Sequence, residues 1–150
     1  MMQTSTSPLI PALGSIPGVS ETVQSRFGEV VIDISKVVEF SQGLLGMPSL
    51  VRFALAHFPA EKMQQFMLLQ SLDDKSVSFI TLPLALHNPV IAADDLRGVC
   101  REFQIAEENL VPLLIVSVHR SLSDVKLSVN ARAPLLIDSA RRTGLQYVFQ

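Results

Sequence analysis

The longest paired run of apolar positions lies between Phe66 and Pro83, where two apolar segments are separated by the polar residues Asp73, Asp74 and Lys75. Two runs of about four to eight apolar, β-branched or aromatic residues around a short Asp-containing break are typical of a β-hairpin. Each arm is too short for a stable helix, which weakens the helical alternative. Because nearly every position of both arms is apolar, both faces of the hairpin should be covered. The pattern therefore places this hairpin at the centre of a sandwich or closed barrel.

Short extended segments precede and follow this hairpin. They are predicted as strands because alternating or β-branched residues stand between turn signals. The predicted segments are Thr22–Phe27, Glu29–Ile34, Lys36–Phe40, Arg52–Phe58, Leu113–Val118, Val125–Asn130, Leu135–Asp138 and Leu145–Gln150. Together with the hairpin they give about nine or ten short strands, and strands at a spacing of about eight to twelve residues favour an antiparallel sandwich or barrel-like domain. We therefore expect a mainly β fold.

One short helix is predicted, over about residues 94–104. Its apolar residues fall at helical spacing and form one stripe, which consists of Leu96, Val99, Cys100 and Phe103. Asp94 is the predicted N-cap, and Asp95 is favourable near the positive end of the helix dipole. Gly98 costs the helix about 1 kcal/mol relative to alanine, so packing must hold it in place.

Composition and charge narrow the class of protein. The chain has 150 residues, of which 48% are hydrophobic and 17% charged, as expected for one packed domain over residues 21–150. Residues 1–20 are rich in Pro, Gly, Ser and Thr and are expected to form a flexible leader. They lack the basic start of a signal peptide, and the chain has no apolar run of the roughly 20 residues that cross a bilayer. We therefore expect a cytoplasmic protein that binds no membrane.

The net charge is −2, with a pI near 5.9, so there is no basic surface of the kind that binds nucleic-acid phosphates directly. The single cysteine, Cys100, allows neither an intramolecular disulfide nor a thiolate metal site. A reducing compartment fits this count. No cofactor is expected.

The residues give little support for catalysis. His57, His87 and His119 have neither a common spacing nor a neighbouring carboxylate or cysteine at metal-ligand spacing. The two acidic pairs, Asp73–Asp74 and Asp94–Asp95, are better explained as turn and helix-start residues. Cys100 lies on the apolar stripe of the helix, where a buried small side chain is expected. Arg141 and Arg142 lie in a predicted turn and are expected to be solvated. An enzyme that uses Cys100 or a histidine with an aspartate is the weakest hypothesis.

Two irregular segments have no complete structural explanation. The loop around Gly43–Gly46 carries apolar residues, namely Leu44, Leu45, Met47 and Leu50, which either fold back onto the core or contact another protein. The segment Asn130–Pro134 interrupts a good strand pair, and either a β-bulge or a contact site explains it. The candidate protein-binding residues are Leu44, Leu45, Met47, Asn130, Arg132 and Pro134.

The order of these segments resembles the flagellar assembly factor FliW family. Members look like a strand pair around an RFGE-type turn, an F-x-x-GLPGF loop, an LQSL-D hairpin, an acidic-start helix, an NL-x-AP strand pair and a Q-x-x-L type tail. The corresponding segments here are Arg26–Asp33, Val37–Met47, Leu68–Pro83, Val129–Ile137 and Leu145–Gln150. The resemblance covers about residues 22–150, and the ordered set carries it rather than any one motif.

This resemblance implies a barrel-like fold and a role without catalysis. FliW-like proteins bind flagellin in the cytoplasm and bind the translational regulator CsrA, which represses flagellin synthesis. The two partners compete, so that export of flagellin frees the factor to take up CsrA. A weakly acidic protein suits the basic surface that an RNA-binding regulator offers. We expect a monomer when neither partner is bound.

The loop departs from the family pattern, with Leu45 where proline is usual, Met47 for phenylalanine and Pro48 in place of an acidic residue. Ala131 replaces the leucine of NL-x-AP. These departures leave open which partner the chain retains. The alternative is a β-barrel that binds a small ligand and is unrelated to flagella, since closed barrels can enclose a cavity.

Overall fold

The computed structural model describes residues 20–57, 64–85 and 90–150, and these form nine strands and one α-helix. The elements are β1 (Ser20–Ser25), β2 (Gly28–Asp33), β3 (Val37–Glu39), β4 (Arg52–His57), β5 (Met67–Ser71), β6 (Ser78–Pro83), α1 (Ala93–Phe103), β7 (Leu110–Arg120), β8 (Val125–Asp138) and β9 (Thr143–Gln146). Two 3-10 helices, Ile34–Lys36 and Glu107–Asn109, precede β3 and β7. The prediction of a mainly β fold with one short helix is confirmed.

The predicted central hairpin is β5 and β6, which pair in an antiparallel ladder. The four residues Leu68–Ser71 are buried although they point alternately to opposite faces, so both faces are covered as expected. Polar residues close the turn: the Ser71 hydroxyl accepts the backbone N–H groups of Asp73 and Asp74 at 3.2 and 3.0 Å. The aspartates at this position therefore serve turn formation.

Seven strands close into a barrel in the order β3-β4-β5-β6-β7-β8-β9. All neighbours are antiparallel except the closing pair, in which β3 and β9 run parallel and Glu39 stands opposite Thr143. The Glu39 N–H donates to the Arg142 carbonyl at 3.0 Å across this seam. The sequence left a sandwich and a barrel open, and the structure is the barrel.

Two elements cover the outside of the barrel. The β1–β2 ribbon packs Val23, Val30 and Ile32 onto the outward residues of β4 and β5. Helix α1 packs Leu96, Val99 and Cys100 onto the outward residues of β7 and β8. Because both the outward and the inward positions of these strands are buried, their sequences are nearly continuous apolar runs.

The two ends of the barrel differ. At one end, here called the closed end, lie the β5–β6 turn and the loop between β3 and β4. Its interior is filled by Phe40, Phe53 and Phe79, with Phe40 edge-on to Phe53 at 5.5 Å between ring centroids. At the other end, here called the open end, β4 and β8 finish and β5 and β7 begin. Aliphatic side chains, among them Val38, Leu55 and Val111, take the place of the aromatic rings in the interior there.

Several predicted boundaries were wrong. The segments on either side of Asn130–Pro134 are one strand, β8, rather than two. The last strand begins at Thr143, inside the predicted turn, and ends at Gln146. The N-cap of α1 is Ala92, so Asp94 and Asp95 both lie in the first turn. Phe103, on the predicted apolar stripe, is 40% exposed and contacts the Tyr147 ring edge-on.

Other expectations fall on residues outside the described part of the chain: the leader up to residue 19, Phe58, and the connection that holds His87 and Pro89. Within the described ranges, no helix is long and apolar enough to cross a membrane.

Candidate functional site

The loop between β3 and β4 is built around two glycines with positive φ. Gly43 has φ +67°, and a Cβ at this position would lie 2.5 Å from the Cα of Pro48, so a side chain fits neither the backbone nor the space. Gly46 has φ +79° and occupies the turn between Leu44 and Met47. Leu44 and Met47 exchange backbone hydrogen bonds of 3.2 and 2.8 Å. The loop is therefore a tight, hydrogen-bonded turn.

The apolar residues of this loop divide between core and solvent. Leu44 is 5% exposed and belongs to the interior cluster of the barrel, and Leu50 packs against the same cluster. Leu45 and Met47 are 60% and 37% exposed. The sequence left open whether these residues fold back onto the core or contact another protein. Leu44 and Leu50 fold back, whereas Leu45 and Met47 face outward, where contact with a partner stays a prediction.

The Asn130–Pro134 segment is a β-bulge. The pairing of β7 with β8 jumps from Leu113 opposite Leu135 to Ile115 opposite Asn130. The Asn130 side-chain oxygen accepts the Ala133 N–H at 3.1 Å and holds the bulge. The predicted irregularity is therefore confirmed, and its local cause is this side-chain hydrogen bond.

Within the bulge, Asn130 and Arg132 are exposed whereas Pro134 is buried. The Arg132 backbone and side chain both bind the C-terminal segment: its carbonyl accepts the Phe149 N–H at 2.8 Å and its Nε donates to the Phe149 carbonyl at 3.3 Å. The guanidinium is thus held at the surface.

One side chain joins the loop to the bulge. The Gln146 Oε1 accepts the Leu45 N–H at 2.8 Å, and its Nε2 donates to the Ala133 carbonyl at 3.1 Å. Gln146 thereby brings together the loop and the bulge, which lie about 90 residues apart in sequence. The hydrogen bond from the Leu45 N–H to Gln146 spans 101 positions. We call the resulting patch, made of Leu45, Met47, Asn130, Arg132 and Gln146, the loop–bulge surface.

Sequence reasoning missed Gln146. The residue lies in the LQYVFQ segment that was matched to the tail of the resembling family, but no role was attached to it. A glutamine can donate and accept at once, which makes it suited to joining a free N–H to a free carbonyl. The signal in the sequence was therefore a polar residue within the otherwise apolar segment 145–149.

The residues that were considered for catalysis are dispersed. Cys100 is buried, and burial raises the pKa of its thiol, which makes a nucleophilic thiolate unfavourable. His119 hydrogen-bonds the Ser128 hydroxyl at 2.9 Å on exposed strands. His57 lies at the open end of the barrel. Among the described residues, no three histidine, cysteine or carboxylate side chains are close enough to hold a metal ion.

A cavity of about 390 Å³ lies at the open end of the barrel. Its apolar wall consists of Val38, Leu55, Ala56, Met67, Val111 and Ile137. Its polar lining residues are Asp33, Lys36, His57, Ser139 and Arg142. We call it the mouth cavity. Sequence reasoning placed Arg142 in a solvated turn and gave His57 no role, because only the strand register shows that these residues line one cavity.

Fold and surface together define the class of protein. It is a small, mainly β protein whose closed barrel presents an anchored apolar loop beside a bulged strand.

Comparison with known proteins identifies the family. The sequence model described as "FliW protein" matches residues 21–150. The flagellar assembly factor FliW of Azoarcus sp. is 32% identical, over 81% of this chain and 86% of that protein. The flagellar assembly factor FliW of Lachnoclostridium phytofermentans is 30% identical, over 83% and 80% respectively. A crystal structure of the flagellar assembly factor FliW superposes with a TM-score of 0.63 at 23% identity, covering 87% of this chain and 89% of that one. The chain belongs to the FliW family.

Proposed function

We propose that this protein is a non-enzymatic flagellar assembly factor that binds flagellin in the cytoplasm and sequesters a CsrA-type translational regulator. The observation that carries the proposal is family membership over residues 21–150, since the relatives are named flagellar assembly factors. Membership also argues against the alternative of a barrel unrelated to flagella. The expected partners follow from the resemblance to FliW, in which release of flagellin makes the factor available to the regulator.

The loop–bulge surface is the proposed contact. Its apolar part, Leu45 and Met47, is exposed on a loop that the buried Leu44 and two positive-φ glycines hold in shape. An apolar side chain on a fixed backbone loses little conformational entropy when a partner covers it, so it contributes well to binding.

The polar part of this surface sets geometry and charge. Arg132 offers a guanidinium whose backbone is fixed by Phe149, and arginine is enriched among the residues that dominate protein interfaces. Leu44 and Pro134, which the sequence also proposed, are buried and serve as anchors of the loop and the bulge.

The proposal is tested by titrating the purified full chain with flagellin and with the CsrA-type regulator from the same organism, for example by calorimetry. Binding of either at micromolar concentration or tighter supports it, and displacement of one by the other establishes competition. Binding of neither would overturn the proposed function while leaving family and fold unaffected.

The contact surface is tested with Leu45→Ser and Arg132→Ala. Each should weaken partner binding by about tenfold or more, because loss of a central interface contact typically costs more than about 1 kcal/mol. Matched controls lie elsewhere on the exposed β7–β8 ribbon: Leu122→Ser, at a fully exposed position, and Arg120→Ala. Equal losses in the variants and their controls would exclude this surface.

A further inference from the structure

The mouth cavity lies where the inward-facing rows of several barrel strands end, and Asp33 and Lys36, from the segment that joins β2 to β3, complete its lining. Inward residues alternate along each strand, so Leu55 and His57 of β4 continue the row that begins with Phe53. Similarly, Met67 precedes Leu69 on β5, and Ile137 is the last inward residue of β8, which ends at Asp138. The interior is closed by aromatic rings at one end and opens into this cavity at the other. Mouths of β-barrels are recurrent small-ligand sites.

We propose that the mouth cavity binds a monocarboxylate with an apolar tail, either a free small molecule or the terminal carboxylate of a polypeptide. The aliphatic wall takes the tail, and the cationic rim formed by Lys36 and Arg142 takes the carboxylate. The volume of about 390 Å³ lies within the roughly 300–1,000 Å³ of known ligand pockets.

Charge complementarity decides in favour of an anion. In the described part of the chain, neither Lys36 nor Arg142 takes part in an ion pair. Asp33 is the only carboxylate among the described lining residues, and its Oδ1 already accepts the N–H and hydroxyl of Ser35 at 3.0 and 2.5 Å. Two cations and one engaged carboxylate leave one net positive charge, which matches a monoanion better than a dianion.

Arg142 is fixed at the rim by its backbone. Its φ is +56°, an unusual value for a residue with a side chain. Its N–H donates to the Asp138 carbonyl at 2.8 Å, and its carbonyl accepts the Glu39 N–H at 3.0 Å. Because the Arg142 backbone is held from both sides, its planar guanidinium is well suited to bind a planar carboxylate.

This site is independent of the proposed partner surface. The loop–bulge surface is at the closed end of the barrel, whereas the mouth cavity lies at the open end. Variants of one should leave binding at the other unchanged, so the two proposals can fail separately.

The test uses the full chain and four probes, followed by calorimetry or by chemical-shift changes of the cavity methyl groups. Decanoate, below its micelle concentration, is compared with decanol, which has the same tail and no charge. A hexapeptide that ends in two leucines with a free carboxylate is compared with the same peptide amidated. We expect saturable binding of at least one carboxylate and at least about tenfold weaker binding of its uncharged counterpart.

Variants locate the effect. Lys36→Gln and Arg142→Asn together should weaken carboxylate binding by about tenfold or more. Asparagine is chosen at residue 142 because it tolerates positive φ. The matched controls, Lys126→Gln and Arg141→Asn, remove exposed cations outside the cavity and should leave binding unchanged.

Binding of decanoate alone, of the free-acid peptide alone, or of both supports the proposal and identifies the carboxylate as free, chain-terminal or either. The proposal is overturned if neither binds, if the uncharged probes bind equally well, or if the double variant binds like the controls.

Discussion

The two ends of this barrel are built from the same strands and packed in opposite ways. At the closed end, Phe40 and Phe53 are fully buried and fill the interior beneath the loop. At the open end, the corresponding inward positions carry Val38 and Leu55, which leave a cavity. Side-chain volume at successive inward positions of β3 and β4 therefore decides which end is solid.

This difference separates two kinds of binding surface. A solid end gives its loop a rigid base, so that Leu45 and Met47 can project without collapsing inward. An open end gives a concave, apolar site with charged groups at its rim. We therefore propose different ligands for the two ends: a protein at the loop–bulge surface and a small or chain-terminal carboxylate in the mouth cavity.

Removing an aromatic ring from the closed end should have the largest effect on stability. Phe53→Ala is expected to lower the free energy of unfolding by about 3–5 kcal/mol, because it leaves a void between Phe40 and Phe79. Leu55→Ala at the open end should cost only about 1–2 kcal/mol, since its half-buried side chain already borders a cavity. Urea denaturation of both variants measures the difference.

Equal losses of unfolding free energy in these two variants would show that the two ends are packed alike and would contradict the difference between them. Phe79 is half-buried, so Phe79→Ala should fall between Phe53→Ala and Leu55→Ala.

A smaller effect is expected where β9 packs against the Phe40 ring. A Cβ on Gly144 would lie 2.6 Å from two atoms of the Phe40 ring, which is itself fully buried. Gly144→Ala should therefore cost about 1–3 kcal/mol through overpacking. The glycine control is Gly98→Ala in α1, where the nearest atom is 3.9 Å away, and it should raise stability by about 0.5–1 kcal/mol. Thermal unfolding of both variants checks the opposite signs, and a stable Gly144→Ala would mean that the Phe40 ring can move aside.

Much of this fold could be predicted from local patterns. A few consecutive residues are enough to identify three features: the β5–β6 hairpin, the β1–β2 pair and the Leu96–Cys100 stripe of α1. Their apolar periodicity and turn chemistry are properties of adjacent positions, so no tertiary information is needed to identify them.

Features that depend on distant residues could not be predicted in the same way. β8 runs through the bulge because Asn130 binds Ala133 and because β7 continues beside it. The sequence before Leu145 resembles a turn, but β9 already begins at Thr143 because Glu39 of β3 pairs with Thr143 and donates its N–H to the Arg142 carbonyl. The mouth cavity has no local signature, since residues from six strands, a 3-10 helix and the turn before β9 meet there only after the barrel has closed.

Removing the Gln146 hydrogen bonds between loop and bulge should lower the free energy of unfolding only modestly. It should clearly accelerate amide hydrogen exchange in the loop. Gln146→Ala removes hydrogen bonds to the Leu45 N–H and the Ala133 carbonyl. Because the loop is exposed and water can replace these bonds, the loss should be about 1 kcal/mol. Amide hydrogen exchange at Leu45 should accelerate, while exchange at Leu55 near the open end should not. Faster exchange at both residues would show that the two ends open together.

The smallest expected effect is a pH-dependent one at the closed end. The backbone N–H groups of Arg52 and Val51 donate to the Asp73 carboxylate at 2.8 and 2.7 Å and hold its pKa below the ordinary value of 3.8. A lowered folded-state pKa stabilises the fold at pH values above 3.8, and this contribution is lost as the pH falls through the folded-state pKa.

Asp73→Asn removes this titration, so the variant should be less stable than the parent chain at neutral pH and approach it in acid. Urea denaturation from about pH 7 to about pH 2 measures the difference, with Glu108→Gln as the control for losing one exposed carboxylate. If Asp73→Asn instead keeps a constant offset from the parent chain over this range, the clamp between the β5–β6 turn and the start of β4 contributes nothing to the closed end, and its rigidity comes from the aromatic core alone.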